Sequence, residues 1–521
     1  MVPGTDRRPD GTLTPERAAR RAGLVAGLVA LAGGALTLNH WLVGVFYDDG
    51  LYVGIAYALS HGLGYVHPNL PGHPAAIHFP PLYPLVLTPF FGTLPLATAG
   101  FAARLANILL AAVAAGLVAW HATRAELLGP GPGAPGWLAA AIVMAAAIAL
   151  PTLTILSVLF SEPLFSLLLA LAVLLADGPP ARWSPDVGAL LAGVAAALAL
   201  LTRTIGVAAG AGIVLYLLLV RRAPWRRAAL AGGPVALAAL GWGLWVVRHR
   251  AGIDPAMGTN YGSYFETLKG AGLGHFWSGL RDVPRPLGDL TLRWLPGPAL
   301  HAVFGAAALA VLLYGLLVMA RRSSIGFVLL GYLAILVVWP FPADRFVWVV
   351  LPWLGLAWAA GALRLWRLPA ARPLRVPVVV TAAAVVIGYC QLEGRGLVTG
   401  SWSAAPAWVS LSASEMLPWL RSLPPDAVIA ADFEPLFWLQ TGRPSVPFYI
   451  YGYRGRQVVG PTPAEQRAYL ERQGVTHVLI SGYTSQSAPQ LDALLGAYRG
   501  WLTPLKAWSG GRAVFGVNRE R

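Results

Sequence analysis

Apolar runs follow one another from about residue 23 to residue 392, and charged residues collect in the gaps between them. About 20 apolar residues in a helix cross the ~30 Å hydrocarbon layer of a bilayer. On that measure the pattern predicts about eleven membrane helices. They lie near 23–46, 101–120, 137–151, 163–176, 187–202, 205–220, 228–247, 299–319, 324–341, 346–363 and 376–391. The third and fourth are short for a full crossing. Residues 80–91 are also apolar, but Pro80, Pro81, Pro84 and Pro89 interrupt them. That stretch reads as a juxtamembrane or re-entrant piece, covered by protein or water.

Beyond Leu392 the period changes. Strands are predicted at 427–431 and 475–480 and helices at 434–440, 462–473 and 489–498. Thr462 is placed to cap the second of these helices, and a hairpin over 505–517 turns at Gly510 and Gly511. The expected fold is an all-α polytopic membrane domain over 23–392 with a small C-terminal α/β domain over 393–521. Long loops fall at 47–100 and 248–298.

Composition agrees: 56% of residues are hydrophobic and 12% charged, against about 45–50% and about 25% in soluble domains. A net charge of +15 in a soluble chain would suggest nucleic acid. Here the arginines sit in short clusters between apolar runs, which points to cytoplasmic connections and away from a nucleic-acid partner. With a cytoplasmic N-terminal tail over 1–22, those connections hold Arg124, Arg182, Arg221, Arg222, Arg226, Arg227, Arg321, Arg322, Arg364, Arg367, Arg372 and Arg375. The 47–100 loop has no lysine or arginine. The C-terminus is then outside. The Ala-, Gly- and Arg-rich composition suits a multi-pass protein of a bacterial plasma membrane, its outer face extracytoplasmic. The run after the basic tail exceeds the ~7–15 residues of a signal sequence, so it reads as a retained helix. The single cysteine, Cys390, cannot form an internal disulfide.

Four groups of residues carry candidate chemistry. Asp48 and Asp49 lie just past the first run, in a loop without a cation to pair them. A solvated helix end would explain them, but adjacent carboxylates near a low-dielectric surface can also divide the work of base and ion holder. Glu162, in Ser161-Glu162-Pro163, falls on the same side. It suits either a helix N-terminus or a site. Arg203 and Arg345 break the positive-inside bias, and an arginine fork suits phosphate oxygens. Snorkelling of Arg203 and a salt bridge from Arg345 to Asp344 are the ordinary alternatives. His61, His67, His73 and His78 match no compact zinc spacing, and His78, directly before Phe79-Pro80-Pro81, is the best placed of them. There is no phosphate-cradling glycine loop, G-x-S-x-G or C-x-x-C.

Three segments form one block: Asp48-Asp49-Gly50-Leu51-Tyr52, Ala56-Tyr57-Ala58-Leu59-Ser60-His61-Gly62-Leu63-Gly64-Tyr65 and Phe79-Pro80-Pro81-Leu82-Tyr83-Pro84-Leu85. The block resembles the first outer loop of polyprenyl-phosphate-sugar-dependent glycosyltransferases of the GT-C class. That class includes the dolichyl-phosphate-mannose protein mannosyltransferases and the lipid A aminoarabinose transferases. Ser161-Glu162-Pro163-Leu164-Phe165 is similar to the second acidic position of that class, and Leu200-Leu201-Thr202-Arg203 and Asp344-Arg345-Phe346 to later blocks. The resemblance implies a polyprenyl-phosphate-linked sugar donor and an acceptor hydroxyl on protein, lipid or glycan. It implies Asp48 as the base, inversion at the anomeric carbon, and arginine on the leaving phosphate. Asp49 and Glu162 are implied as further catalytic acids that position the acceptor or hold a divalent cation (Mg or Mn). Tyr52, His78, Tyr83, Arg203 and Arg345 are implied as substrate contacts. The chain departs from the class in having Asp49 where Glu is frequent and Glu162 where Asp is frequent. A transporter or lipid flippase would also explain the many helices, and a non-catalytic scaffold the C-terminal domain. Neither accounts for acids and arginines gathered at one face.

Overall fold

The computed structural model describes residues 15–129, 134–179, 182–264, 273–454 and 457–518. Residues 1–14 of the expected N-terminal tail, and part of the 248–298 loop, lie outside these. Helix Pro15–Ala35 runs along helix Leu96–Arg124. A Cβ at Gly23 would stand 2.8 Å from the Gly116 carbonyl oxygen, so the absence of side chains there lets the two backbones touch.

Among the described residues, six helices are long and apolar enough to cross a membrane: Glu16–Ala35, Leu96–Arg124, Pro185–Thr202, Trp225–Gly252, Pro298–Ala320 and Pro369–Thr399. The pair Gly136–Ala147 and Leu150–Leu156, bent by 55°, makes a seventh if taken as one span. This corrects the expected eleven. The remaining apolar runs form shorter helices, Glu162–Asp177, Val207–Leu219, Ile325–Val338 and Leu351–Arg367. The 16 residues of Glu162–Asp177 reach about 24 Å, short of the ~30 Å layer. Most of its side chains are buried against protein. Hydropathy alone does not separate a run that faces lipid from one that faces other helices. The first run also divides: its helix ends at Ala35, and residues 36–47 continue as irregular chain. The proline-rich stretch forms helix Leu82–Thr93.

The arginine-bearing connections meet at one end of the bundle. Arg124 donates to the Gly178 carbonyl, Arg322 to that of Glu126, Tyr216 to that of Arg322, and Arg227 pairs with Asp186. At this end too, the His121 Nε2 lies 3.0 Å from the Asp177 carboxylate, which also accepts from Ser323 and from the Ser324 backbone.

Helix Arg375–Thr399 passes through the expected boundary at 392 and stops at Gly400, whose φ of 63° supplies the left-handed cap. Helix Ala404–Arg421, unassigned from sequence, follows. Seven strands follow among the described residues: β1 (Ile429–Ala431), β2 (Ser445–Pro447), β3 (Gly452–Arg454), β4 (Gln457–Val459), β5 (His477–Ile480), β6 (Leu502–Ala507) and β7 (Ala513–Val517). The main sheet has the order β2-β1-β5-β7-β6, with β2, β1 and β5 parallel and the β6–β7 hairpin antiparallel, while β3 and β4 pair separately. Alternate residues face opposite ways. Ile429, Ala431, Leu479 and Val514 pack with Val409, Met416 and Leu420 of helix Ala404–Arg421. Ala430, Val446 and Val478 pack with Tyr469, Leu470 and Leu494. Thr462 and Glu465 form a reciprocal capping box on helix Pro463–Arg472. Val45 and Phe160 of the bundle share a core with Ile429 and Leu436, so no solvent layer separates sheet from helices.

Candidate active site

The bundle end opposite the arginine-bearing connections is built around a sharp bend. The Asp48 N–H donates to the Phe46 carbonyl at 2.8 Å, and Tyr47 between them has φ 67° and ψ −71°. This is the positive-φ γ-turn, a rare and strained conformation for a side-chain-bearing residue. Such a residue costs about 1–3 kcal/mol and persists only where its surroundings enforce it. Asp49 is one enforcer. Its carboxylate, fully buried, accepts from the Gly44 N–H at 3.0 Å and the Phe46 N–H at 2.9 Å. Burial pushes this carboxyl up to about 6, against the pull of those N–H groups and of nearby Arg104. Asp49 therefore shapes the loop, and its oxygens face backbone and not the cavity. Asp48 begins helix Asp48–Ser60 and is left pointing inward.

Asp48 is not unpaired, as its loop alone suggested. Its Oδ2 accepts from the Arg345 Nη1 at 2.6 Å, across 297 positions of chain. Arg345 continues to Glu162, with Nη2 at 2.7 Å and Nε at 3.1 Å from Oε1. The same Glu162 oxygen receives Arg203 Nη1 at 2.9 Å. Arg345 thus bridges two acids, and its partner is not the neighbouring Asp344. Glu162 opens helix Glu162–Asp177 ahead of Pro163, where a carboxylate is favoured by the helix dipole and proline costs no hydrogen bond. Arg203 sits at a helix break: Pro185–Thr202 ends, Arg203 is extended, and a short 3₁₀ turn, Thr204–Gly206, precedes the next helix. The break directs the guanidinium into the protein, not toward lipid headgroups. Phe160 lies 3.8 Å from Arg345 and Phe346 4.6 Å from Arg203, ring centroid to guanidinium carbon. Two acids and two guanidinia give the quartet no net charge.

Three of the four face a cavity of about 420 Å³, with Glu162 buried behind them. Asp48, Arg203 and Arg345 line it, with Phe46, Tyr47, Tyr52, His78, Tyr264, Phe341 and Trp348 among the aromatic walls. The Tyr52 hydroxyl lies 3.1 Å from Ser161 Oγ, which also receives Arg203. The His78 Nδ1 lies 2.8 Å from the Gly262 carbonyl oxygen, and burial lowers its affinity for a proton. Tyr83 does not reach the cavity: it is fully buried behind Tyr52, bonded to Asn107. Two donors in the wall, Arg203 Nε and the Trp348 indole N–H, are buried without a hydrogen-bond partner. Both atoms are enclosed by protein, so it is other parts of these two side chains that face the cavity.

The remaining histidines do not converge. His61 is exposed and stacked on Tyr57, and His67 is buried against Tyr261 with its basicity lowered to about 3. Among the described residues no group of three or more His, Cys, Asp or Glu is arranged to hold a metal ion. Asp49 faces backbone N–H groups, and one Glu162 oxygen takes both guanidinia.

Sequence reasoning missed the contribution of the C-terminal domain. Tyr451 reaches the cavity. Glu434, buried at the start of helix Glu434–Thr441, accepts from the Tyr261 hydroxyl at 2.6 Å and the Tyr47 hydroxyl at 3.2 Å. Tyr261 in turn receives the Asn69 amide at 2.7 Å. The sequence signal was a pair of acids, Asp432 and Glu434, in an otherwise apolar stretch.

No family model and no curated protein matches the chain. Solved structures do. The archaeal oligosaccharyltransferase AglB from Archaeoglobus fulgidus, in complex with an inhibitory peptide and a dolichol-phosphate, aligns with a TM-score of 0.52 and 13% identity over 96% of this chain and 74% of its own. ArnT from Cupriavidus metallidurans bound to undecaprenyl phosphate aligns at 0.45 and 17%, over 94% and 97%. The arabinofuranosyltransferase AftD from Mycobacteria aligns at 0.43 and 16%, over 96% and 42%. At such identities the likeness to the oligosaccharyltransferase is one of fold, and at that level it agrees with the GT-C resemblance.

Proposed function

We propose that the chain is a membrane glycosyltransferase that moves a sugar from a polyprenyl phosphate to an acceptor hydroxyl. The observation that carries this reading is the Asp48–Arg345–Glu162–Arg203 chain, three of whose members, Asp48, Arg203 and Arg345, line one cavity. Charge-paired arginines suit a phosphate, the aromatic walls suit a sugar ring, and of the two acids that line the cavity, Asp48 and Asp344, it is Asp48 that is tied to Arg345. The oligosaccharyltransferase of the same fold was solved with a dolichol-phosphate, which supports a lipid phosphate as ligand here.

In this reading the donor phosphate docks on Arg345 and Arg203 and displaces Asp48 from Arg345. The freed carboxylate takes the proton of the acceptor hydroxyl as its oxygen bonds to the anomeric carbon. The bond from that carbon to the phosphate oxygen breaks, and the configuration inverts. Both guanidinia meet the charge that collects on the leaving phosphate. Glu162 acts as the fixed counter-ion that keeps the arginines in the wall. The arginine-bearing connections at the other end support a cytoplasmic N-terminus in the plasma membrane. Cavity and C-terminal domain then face the extracytoplasmic side. A donor panel of undecaprenyl-phosphate mannose, glucose and arabinose in nanodiscs, with membrane extract as acceptor source, tests the proposal. Asp48→Asn should fold normally and lose about 10²–10⁴ in rate. A folded Asp48→Asn protein with full transfer would remove the base.

A further inference from the structure

The C-terminal domain does more than stand beside the cavity. Helix Glu434–Thr441 is pressed against the loop that carries Asp48. A Cβ at Gly44 would stand 2.8 Å from the Leu436 Cα, and one at Gly50 2.9 Å from the Pro435 Cβ. Gly44 has φ 99°, so it is glycine for its conformation as well as for space. Directly across this contact stands the strained turn. Tyr47, at its centre, is tied by its hydroxyl to Glu434 and by its ring to Phe433, at 6.1 Å between centroids. Phe433 itself has φ 53°. Two side-chain-bearing residues with positive φ, distant in the chain, therefore meet ring to ring, and one of them bonds the Glu434 carboxyl.

From this geometry we infer that Glu434 is a positioning residue: through Tyr47 it holds the turn that aims Asp48 into the cavity. The inference rests on the proposed role of Asp48 as base. Asp49 fixes the loop from below through backbone N–H groups, but neither of its bonds reaches Tyr47 or Asp48. Glu434 supplies the hold on Tyr47 itself. It is 1% exposed, and the groups that face it are Tyr47, Tyr261, Tyr469 and Asp432. No cation is among those, and burial pushes the Glu434 carboxyl up to about 8. A neutral carboxyl at this point can be mimicked by glutamine, whose carbonyl oxygen accepts from the same two hydroxyls.

The test compares Glu434→Ala, Glu434→Gln and Tyr47→Phe with wild type in nanodiscs, with Asp48→Asn in the same series. Glu434→Ala is expected to lower kcat about 10–100-fold, as a shift of the order of 1 Å in a catalytic group does. The KM for donor and the binding of undecaprenyl phosphate should stay within about twofold, because Arg203 and Arg345 are untouched. Tyr47→Phe should follow it in direction, and Glu434→Gln should restore most of the rate. Hydrogen–deuterium exchange supplies a readout without turnover: Glu434→Ala should raise exchange across residues 42–50 and leave helix Glu162–Asp177 as it was. If Glu434→Ala keeps both kcat and the wild-type exchange of 42–50 while Asp48→Asn is inactive, the positioning role is wrong and the base stands. If Asp48→Asn transfers like wild type, the base reading fails whatever Glu434 does. Should Glu434→Ala not fold, Tyr47→Phe with unchanged kcat and exchange overturns the inference alone.

Discussion

Removing Arg345 is the sharpest perturbation of the site. Its guanidinium makes three bonds to carboxylate oxygens, at 2.6, 2.7 and 3.1 Å. Charge-assisted bonds of this kind contribute about 1.5–3 kcal/mol each in isolation, but they share one side chain and do not add. Breaking a buried pair by deleting one partner costs about 3–5 kcal/mol. Arg345 retains 21% exposure and Asp48 25%, so solvent screens the loss and places Arg345→Ala near the low end, about 3 kcal/mol. Glu162 keeps Arg203, which limits the damage further. The catalytic loss should be larger in proportion, about 10²–10³ in kcat, as when a donor to developing charge is removed. Arg345→Lys should fall between, because an ammonium cannot fork across two acids. Thermal unfolding in nanodiscs reads the first quantity, native mass spectrometry with undecaprenyl phosphate the lipid affinity, and single-turnover transfer the third. Wild-type lipid binding and transfer in Arg345→Ala would refute the reasoning.

Trp348→Phe removes the pyrrole half of the indole together with its N–H and widens the cavity wall, so stability should fall by about 1–2 kcal/mol and binding of undecaprenyl phosphate should weaken; unchanged binding would show that Trp348 does not contact the ligand. Stability should fall as pH rises from about 4.3, the ordinary Glu value, to about 8 at Glu434, because over that window the folded chain keeps a proton the unfolded chain releases. Glu434→Gln should flatten that slope in a melting series, and a slope identical to wild type would assign it to other groups. With the Asp49 oxygens and Glu162 Oε1 committed as they are, transfer measured after EDTA treatment should not rise when Mg or Mn is restored; a clear rise would mean that Glu162 takes up an ion, through Oε2 or by releasing an arginine.

The fold class and much of the site were readable from residue pattern. The strands at β1 and β5, the capped helix at Pro463–Arg472 and the hairpin near Gly510 follow from period, caps and turn residues, all of them local. The number of spans was not readable, because the apolar run at 163–176 looks the same whether lipid or protein covers it. Asp48, Glu162, Arg203 and Arg345 stood out by charge in apolar context, and the structure brings all four together. Their pairing was hidden because Asp48 and Arg345 meet across 297 residues, and a loop without cations was no guide to what folds over it. That Tyr83 lies behind Tyr52 and not in the cavity wall was hidden for a related reason: a tyrosine beside a cavity and one in its wall have the same local sequence. Glu434 was invisible because its meaning depends on Tyr47, and nothing near either residue signals the other.

That last contact has a bearing on how the molecule is made. Tyr47 and Glu434 are separated by 387 residues. At about 5–20 residues per second, a ribosome needs roughly 20–80 s to travel between them. Through that interval the bundle can insert and its arginine–acid chain can assemble, yet the turn before Asp48 waits for a helix not yet synthesised. Until that helix is made, Asp48 has no partner holding the turn in front of it, and on the proposed reading the cavity is lined before its base is aimed.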